Sequence, residues 1–134
     1  ALVRADAIVL ACGAGLTAFQ PADFLPIALS RGQIEWGEGA APANAITRGA
    51  YVAPYNGGVL FGATFDPYDG AALELPNIEA DARERNFAAL QELAPDIAAS
   101  IKRETLQSRV ALRATTPDRA PVAGLLPDAE RWLE

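Results

Sequence analysis

Arg109–Asp128 reads RVALRATTPDRAPVAGLLPD, and the fold follows from how this stretch is parsed. Val110, Ala111 and Leu112 form an aliphatic run that fits a strand. Thr115, Thr116, Pro117 and Asp118 are turn chemistry. Between them stands Arg113, at the end of the strand. An arginine there is either a solvated edge residue or a fixed fork for a carboxylate or phosphate. Beyond the turn, Pro121–Gly124 frames a loop, and Gly124 lets backbone approach something flat or bulky.

Moving outward, Asn77 through Ile101 carries the helical period. Asn77 is a candidate cap, with Glu79 and Asp81 at the positive end of the helix dipole. Phe87, Leu90, Ala94, Ile97 and Ile101 recur at helical spacing. Pro95 divides the segment into a helix over 78–93 and a short one over 95–101, since proline is welcome in a first turn. Arg83, Glu84, Arg85 and Glu92 read as a solvated face. Residues 66–76 read as a loop.

Further upstream, Ala50–Tyr55 and Val59–Phe65 flank Asn56-Gly57. Both turn residues of such a hairpin need positive φ, so this is a strong local signal. Tyr51 and Ala53 share one face of the first arm. A tyrosine there is half-buried packing or a substrate-facing phenol. Leu25–Trp36 is a further strand. Its alternation changes phase at Arg31-Gly32, which suggests either a bulge or a strand bend with a solvated Arg31. Gly37–Asn44 is a surface loop, and Phe19–Leu25 a connector containing Pro21. Asp6–Gly15, DAIVLACGAG, is expected to be a strand covered on both faces, as in a parallel sheet. No G-x-G-x-x-G follows it, so it is weak as a phosphate loop. The order predicts an α+β fold in a single domain over 1–134, with a largely antiparallel (mixed) sheet and helices packed on one face.

Composition narrows the chemistry. The 134 residues are half apolar and carry net charge −6, with no histidine and one cysteine, Cys12. Histidine-based triads, cysteine-cluster zinc sites and internal disulfides are excluded. No metal is expected. Without clustered Lys and Arg, autonomous nucleic-acid binding is disfavoured. No apolar run nears the roughly 20 residues that span a bilayer, and no signal-peptide pattern is present. A cytoplasmic protein without membrane contact is expected. The chain contains no methionine and starts abruptly in an apolar segment, which suggests a piece of a longer polypeptide. Any chemistry must then come from a cofactor.

Taken in order, A-C-G-A, R-G-Q, Y-V-A-P, N-G-G-x-x-x-G-A-T-F and L-R-A-T-T-P-D-R-A-P-V-A-G resemble the second half of flavoenzymes of the D-amino-acid oxidase and glycine oxidase family. The R-A-T-T-P-D-R-A-P-V ending is most similar to the flavin domain of the bifunctional tRNA-modification enzymes. These oxidatively remove the carboxymethyl group from carboxymethylaminomethyl-uridine at the wobble position. The resemblance implies FAD as cofactor and a carboxylate-bearing amine, within tRNA, as substrate. It implies substrate contacts from Arg113 and Tyr51, and cofactor contacts from Gly13, Arg31, Gly32, Pro121, Val122 and Gly124. In the glycine oxidase branch a proline follows the arginine; here it is Ala114. The family's dinucleotide-binding half is absent, so FAD is not expected to stay on the isolated chain, and self-association of uncovered surfaces is expected. Glycine, sarcosine or D-amino-acid oxidation is the alternative chemistry. A non-catalytic interaction module on the same sheet is the alternative class.

Overall fold

A computed structural model describes residues 2–70 and 74–126. Six strands form one sheet: β1 (Ala28–Gly37), β2 (Ile46–Arg48), β3 (Ala50–Tyr55), β4 (Gly58–Gly62), β5 (Asp66–Tyr68) and β6 (Gln107–Thr115). β1 is central. β6 lines one edge of it, while β4 and β5 share the other edge end to end; β3 and β2 continue outward from β4. Every pairing is antiparallel. Two helices, α1 (Ala80–Leu93) and α2 (Pro95–Ser100), enter the chain between β5 and β6. The α+β expectation holds.

The hairpin forms where Asn56-Gly57 requires it. Asn56 takes φ 47° and Gly57 φ 76°, the pair of positive angles that matches the twist of the flanking strands. Its register sets Val52 opposite Phe61, and both are fully buried beneath α1 with Val59. Phe87 and Leu90 of α1, then Ala94, Ala98, Ile101 and Leu106, complete this core. Phe61 meets Phe87 edge to face, with ring centroids 6.3 Å apart. Burying a side chain of this size contributes about 2–3 kcal/mol. Pro95 opens α2, and the N–H of Ala94 still donates to the Leu90 carbonyl at 2.8 Å. The break at Pro95 therefore sacrifices no hydrogen bond in α1.

Four expectations need correction. Residues 6–12 form no strand; all but the half-buried Leu10 are exposed, and Gly13–Ala18 is a 3-10 helix. A strand buried on both faces needs neighbours on both sides, and the described residues supply none there. The bulge is not in β1, whose ladder to β6 runs unbroken from Ala28 to Trp36. It lies in the facing chain, where Ile34 pairs with Gly62 but Arg31 with Asp66, so that 63–65 oppose only 32–33. Thr64 repairs the gap: its N–H donates to Gln33 O, and its hydroxyl accepts from Gln33 N at 3.0 Å. The cap of α1 is Glu79, with no side-chain cap bond, and not Asn77; the Asn77 carbonyl accepts from Arg31 instead. Finally, β2 and β5 are strands that the pattern did not announce. Residues 71–73 of the expected 66–76 loop, and Pro127 and Asp128 of the closing stretch, lie outside the described residues. Among the described residues no helix is long and apolar enough to cross a membrane.

Candidate functional site

Side chains alternate across a strand, so register assigns each residue to a face. On β1, Arg31, Gln33 and Glu35 face the helices. Gly32, Ile34 and Trp36 face away, on what is here called the far face. Ala111 pairs with Gly32, and Arg113 pairs with Ser30, so Arg113 is also on the far face. Tyr51 pairs with Gly62, which pairs with Ile34, so Tyr51 shares it. Both are half-buried.

The Arg113 guanidinium does not stand above Ser30. It lies over Gly32, where an added Cβ would collide with Cζ and both Nη atoms. Its Nη1 donates to the Thr64 carbonyl at 3.1 Å. The Phe65 ring centroid is 5.5 Å from Cζ, and Cζ of Arg119 is 5.1 Å from the same ring. Strands lie about 4.8 Å apart and rise about 3.4 Å per residue, and Tyr51 is in register with Ile34, two residues along from Gly32, so the guanidinium over Gly32 is roughly 12 Å from the Tyr51 backbone. Ser30, beside it, has a buried hydroxyl with no hydrogen-bond partner among the described residues.

The turn after β6 is held locally. The Ala120 N–H donates to Asp118 Oδ1 at 3.0 Å, and the Thr116 hydroxyl to the Ala120 carbonyl at 2.8 Å. The Ala120 N–H keeps the Asp118 carboxyl below its ordinary range. Arg119 adopts φ 59° here, which delivers its side chain to Phe65. Beyond the turn, Pro121, Val122 and Gly124 are exposed and form no regular element. Gly13 opens the 3-10 helix that packs on β6.

Arg31 goes elsewhere. It is 4% exposed and faces the helices. Its Nη2 donates to Gln33 Oε1 and to Asn77 O, each at 2.8 Å. Its Nη1 lies 3.2 Å from Glu79 and 3.5 Å from Asp66. Of the residues assigned to the cofactor, Arg31 thus has its guanidinium on the opposite face from Arg113, within a polar network. That network continues through Gln33 to Glu35, which also accepts from Ser108 and Asn86 and pairs with Arg83 at 3.4 Å. A hollow of about 450 Å³ beside Arg31 is lined by Asp66, Tyr68, Glu79 and Arg85 among others. A second, of about 230 Å³, lies at the hairpin end between Trp36, Tyr55 and Gln107. Arg113 and Tyr51 line neither; they occupy open sheet surface. The contributions of Thr64 and Phe65 were not anticipated. Their signal was the G-A-T-F segment, read as continued strand alternation when it is a bulge.

Chemically, the far face carries a planar cation held against the sheet, with no ion pair among the described residues, and a phenol on the same face; a planar fork with free donors can take an anion. The chain matches the family described as DAO, FAD dependent oxidoreductase, over residues 1–133, and belongs to it. It is 43% identical over 135 residues to the tRNA 5-methylaminomethyl-2-thiouridine biosynthesis bifunctional protein MnmC of Caulobacter sp. (strain K31), across 98% of this chain and 21% of that protein. To the protein of the same name from Caulobacter vibrioides (strain ATCC 19089 / CIP 103742 / CB 15) it is 40% identical over 129 residues, across 95% and 20%. The chain spans about a fifth of the length of these curated relatives. In fold it resembles the crystal structure of glycine oxidase from Geobacillus kaustophilus, with TM-score 0.65 and 24% identity, covering 92% of this chain and 34% of that one.

Proposed function

We propose that this chain is the substrate-binding part of a larger FAD-dependent amine oxidoreductase that removes the carboxymethyl group from carboxymethylaminomethyl-uridine in tRNA. The observation that carries the reading is the state of Arg113. Among the described residues it makes one hydrogen bond, to a backbone carbonyl, and no ion pair. A half-buried guanidinium with most of its donors free is suited to receive a carboxylate bidentately. The name of the relatives at 43% and 40% identity, a tRNA 5-methylaminomethyl-2-thiouridine biosynthesis protein, supports tRNA as the carrier of that carboxylate.

In this reading Arg113 grips the acid group of the N-carboxymethyl amine, and the Tyr51 hydroxyl donates a further hydrogen bond. Two anchors at one end fix the direction of the adjoining methylene. FAD, when bound, supplies the two-electron acceptor. The methylene loses a hydride and the nitrogen a proton. Water adds to the resulting imine, and glyoxylate leaves the aminomethyl nucleoside.

The residues present fit the ring end of such a cofactor better than its nucleotide end. Among the described residues nothing lies within 4 Å of a Cβ built at Gly13 or Gly124, so each leaves space for a flat ring, whereas the Arg113 guanidinium fills the space above Gly32 and takes it out of that wall. By contrast, Gly13 opens only a six-residue 3-10 helix, which is no substitute for the strand–loop–helix that holds a pyrophosphate. The rest of the cofactor site then belongs to polypeptide outside this chain. The purified 134-residue chain should therefore be colourless.

The test is steady-state kinetics of the flavin-containing protein that carries this chain, on tRNA bearing carboxymethylaminomethyl-uridine. Arg113→Ala should lower kcat/KM about 100-fold, and Tyr51→Phe about tenfold. Unchanged constants in both variants would remove the carboxylate reading. Activity on glycine or sarcosine, with none on tRNA, would move the substrate to a small amine.

A further inference from the structure

The ladder between β1 and β6 places Arg113 beside Ser30, yet its guanidinium occupies the space above Gly32, two residues along. Three features define that berth. The sheet has no Cβ at Gly32, the Thr64 carbonyl accepts from Nη1, and the Phe65 ring borders Cζ. The Thr64 carbonyl and Phe65 reach this spot because 63–65 bulge opposite 32–33.

We propose that Gly32 and Phe65 are positioning residues for substrate binding, acting through Arg113. Gly32 is the floor that lets the guanidinium lie flat on the sheet, and Phe65 is the side wall. A planar fork recognises a carboxylate bidentately only when its plane and edge are fixed. With the floor raised by one methyl group, the fork swings off the sheet and loses its fixed plane and edge. The proposal rests on the carboxylate reading of Arg113. It differs from a cofactor contact by Gly32, which would act independently of Arg113.

The geometry also says where the effect should register. The group that a Cβ at Gly32 meets is the far end of a flexible side chain, so it can yield without moving the backbone. Gly32→Ala should fold, retain flavin, and lose binding.

The experiment is a double-mutant cycle of Gly32→Ala and Arg113→Ala in the flavin-containing protein, with the carboxymethylaminomethyl-uridine tRNA as substrate. Gly32→Ala alone should raise KM about tenfold with little change in kcat. Added to Arg113→Ala, it should change kcat/KM by less than about twofold, because its only route of action is gone. An equal loss in both backgrounds overturns the proposal while leaving the carboxylate reading intact. No loss from Arg113→Ala removes that reading, and the positioning role falls with it. If Gly32→Ala fails to fold, Phe65→Leu takes its place. Phe65 is 49% exposed, and its variant should show the same KM-only loss that vanishes with Arg113; a loss that persists without Arg113, or no loss, overturns the proposal.

Discussion

On the helix side of the sheet, Arg31 lies between two carboxylates, and Glu35 is met by Gln33, Asn86, Ser108 and Arg83. On the far side, Arg113 has one backbone carbonyl and an aromatic edge. The two arginines stand on adjacent strands, Arg31 opposite Leu112 and Arg113 opposite Ser30. The difference between them is what covers each face. Beneath α1 a charge without partners would cost several kcal/mol; Arg31 and Glu35 each have an opposite charge within 3.5 Å there, although Arg31 Nε and Nη1 make no hydrogen bond among the described residues. Water reaches the far face, which can keep a cation in reserve for a ligand at little cost to folding. One face uses its polar groups to hold α1 to the sheet; on the other, the proposed function gives them to a ligand.

The largest effect should come from breaking the matched side. Glu35→Ala removes the acceptor for Gln33 Nε2 and Ser108 Oγ and the partner of Arg83. It should cost about 3 kcal/mol in urea unfolding, the low end for a buried pair, because the Arg83 side chain is a third exposed and can recover water. A loss below about 1 kcal/mol would mean that the network is not what anchors α1, and the contrast between the faces would weaken.

Next comes the hairpin, which delivers residues to both faces at once: Val52, Val59 and Phe61 to the core, Tyr51 to the far face. A one-residue slip would exchange them. Gly57 holds the register at φ 76°. Gly57→Ala should cost about 1–2 kcal/mol, the penalty for a side chain in the left-handed region. Thermal unfolding measures the cost. No change would mean that register is fixed by the core alone.

These elements differ in how far they could be read in advance. Asn56-Gly57, the Pro95 break and the Val110–Leu112 run each carry a local physical signal, and each proved a reliable marker. Arg113 was visible as a cation at a strand end, but its berth was not, since that depends on Gly32 and Thr64 from distant segments. The polar residues Arg31, Gln33 and Glu35 were harder. Alternation with Ile34 and Trp36 assigns polar side chains to solvent, yet here they face α1. What reverses the assignment is Arg83 and Asn86, two polar positions one helical turn apart on the buried side of α1. Pattern within one segment cannot show that two polar faces meet. Asp6–Gly15 failed for the opposite reason: its pattern specifies a strand covered on both faces, and the described residues supply no neighbours for it.

A subtler difference between the faces should appear on acidification. The side-chain hydrogen bond from Arg85, with the charges of Arg85 and Arg31, holds the Asp66 carboxyl below its ordinary value of 3.8. A carboxyl with a lowered folded-state pKa stabilises the fold fully above its unfolded value. That stabilisation fades as pH falls from there through the folded value. Unfolding midpoints measured downward from pH 5 should therefore drop below about pH 4, and Asp66→Asn should remove part of that drop. Arg85→Gln should move the Asp66 carboxyl back toward its ordinary value and shrink its share. A drop identical in all three proteins would assign acid sensitivity to other carboxyls.

The smallest expected change is also the sharpest test of the contrast. Arg113→Ala should alter the unfolding free energy by no more than about 0.5 kcal/mol, the range of ordinary surface substitutions. Among the described residues it makes one hydrogen bond, to the Thr64 carbonyl, and no ion pair that the substitution would break. A residue that matters to folding and a residue held in reserve for a ligand predict opposite pairs of results. The first gives a large stability loss with binding lost only through unfolding. The second gives near-unchanged stability with KM raised in fully folded protein. A loss of 2 kcal/mol or more, on the scale of a group that folding depends on, would place Arg113 with Arg31 as a structural cation, and the far face would lose its claim to be the binding face.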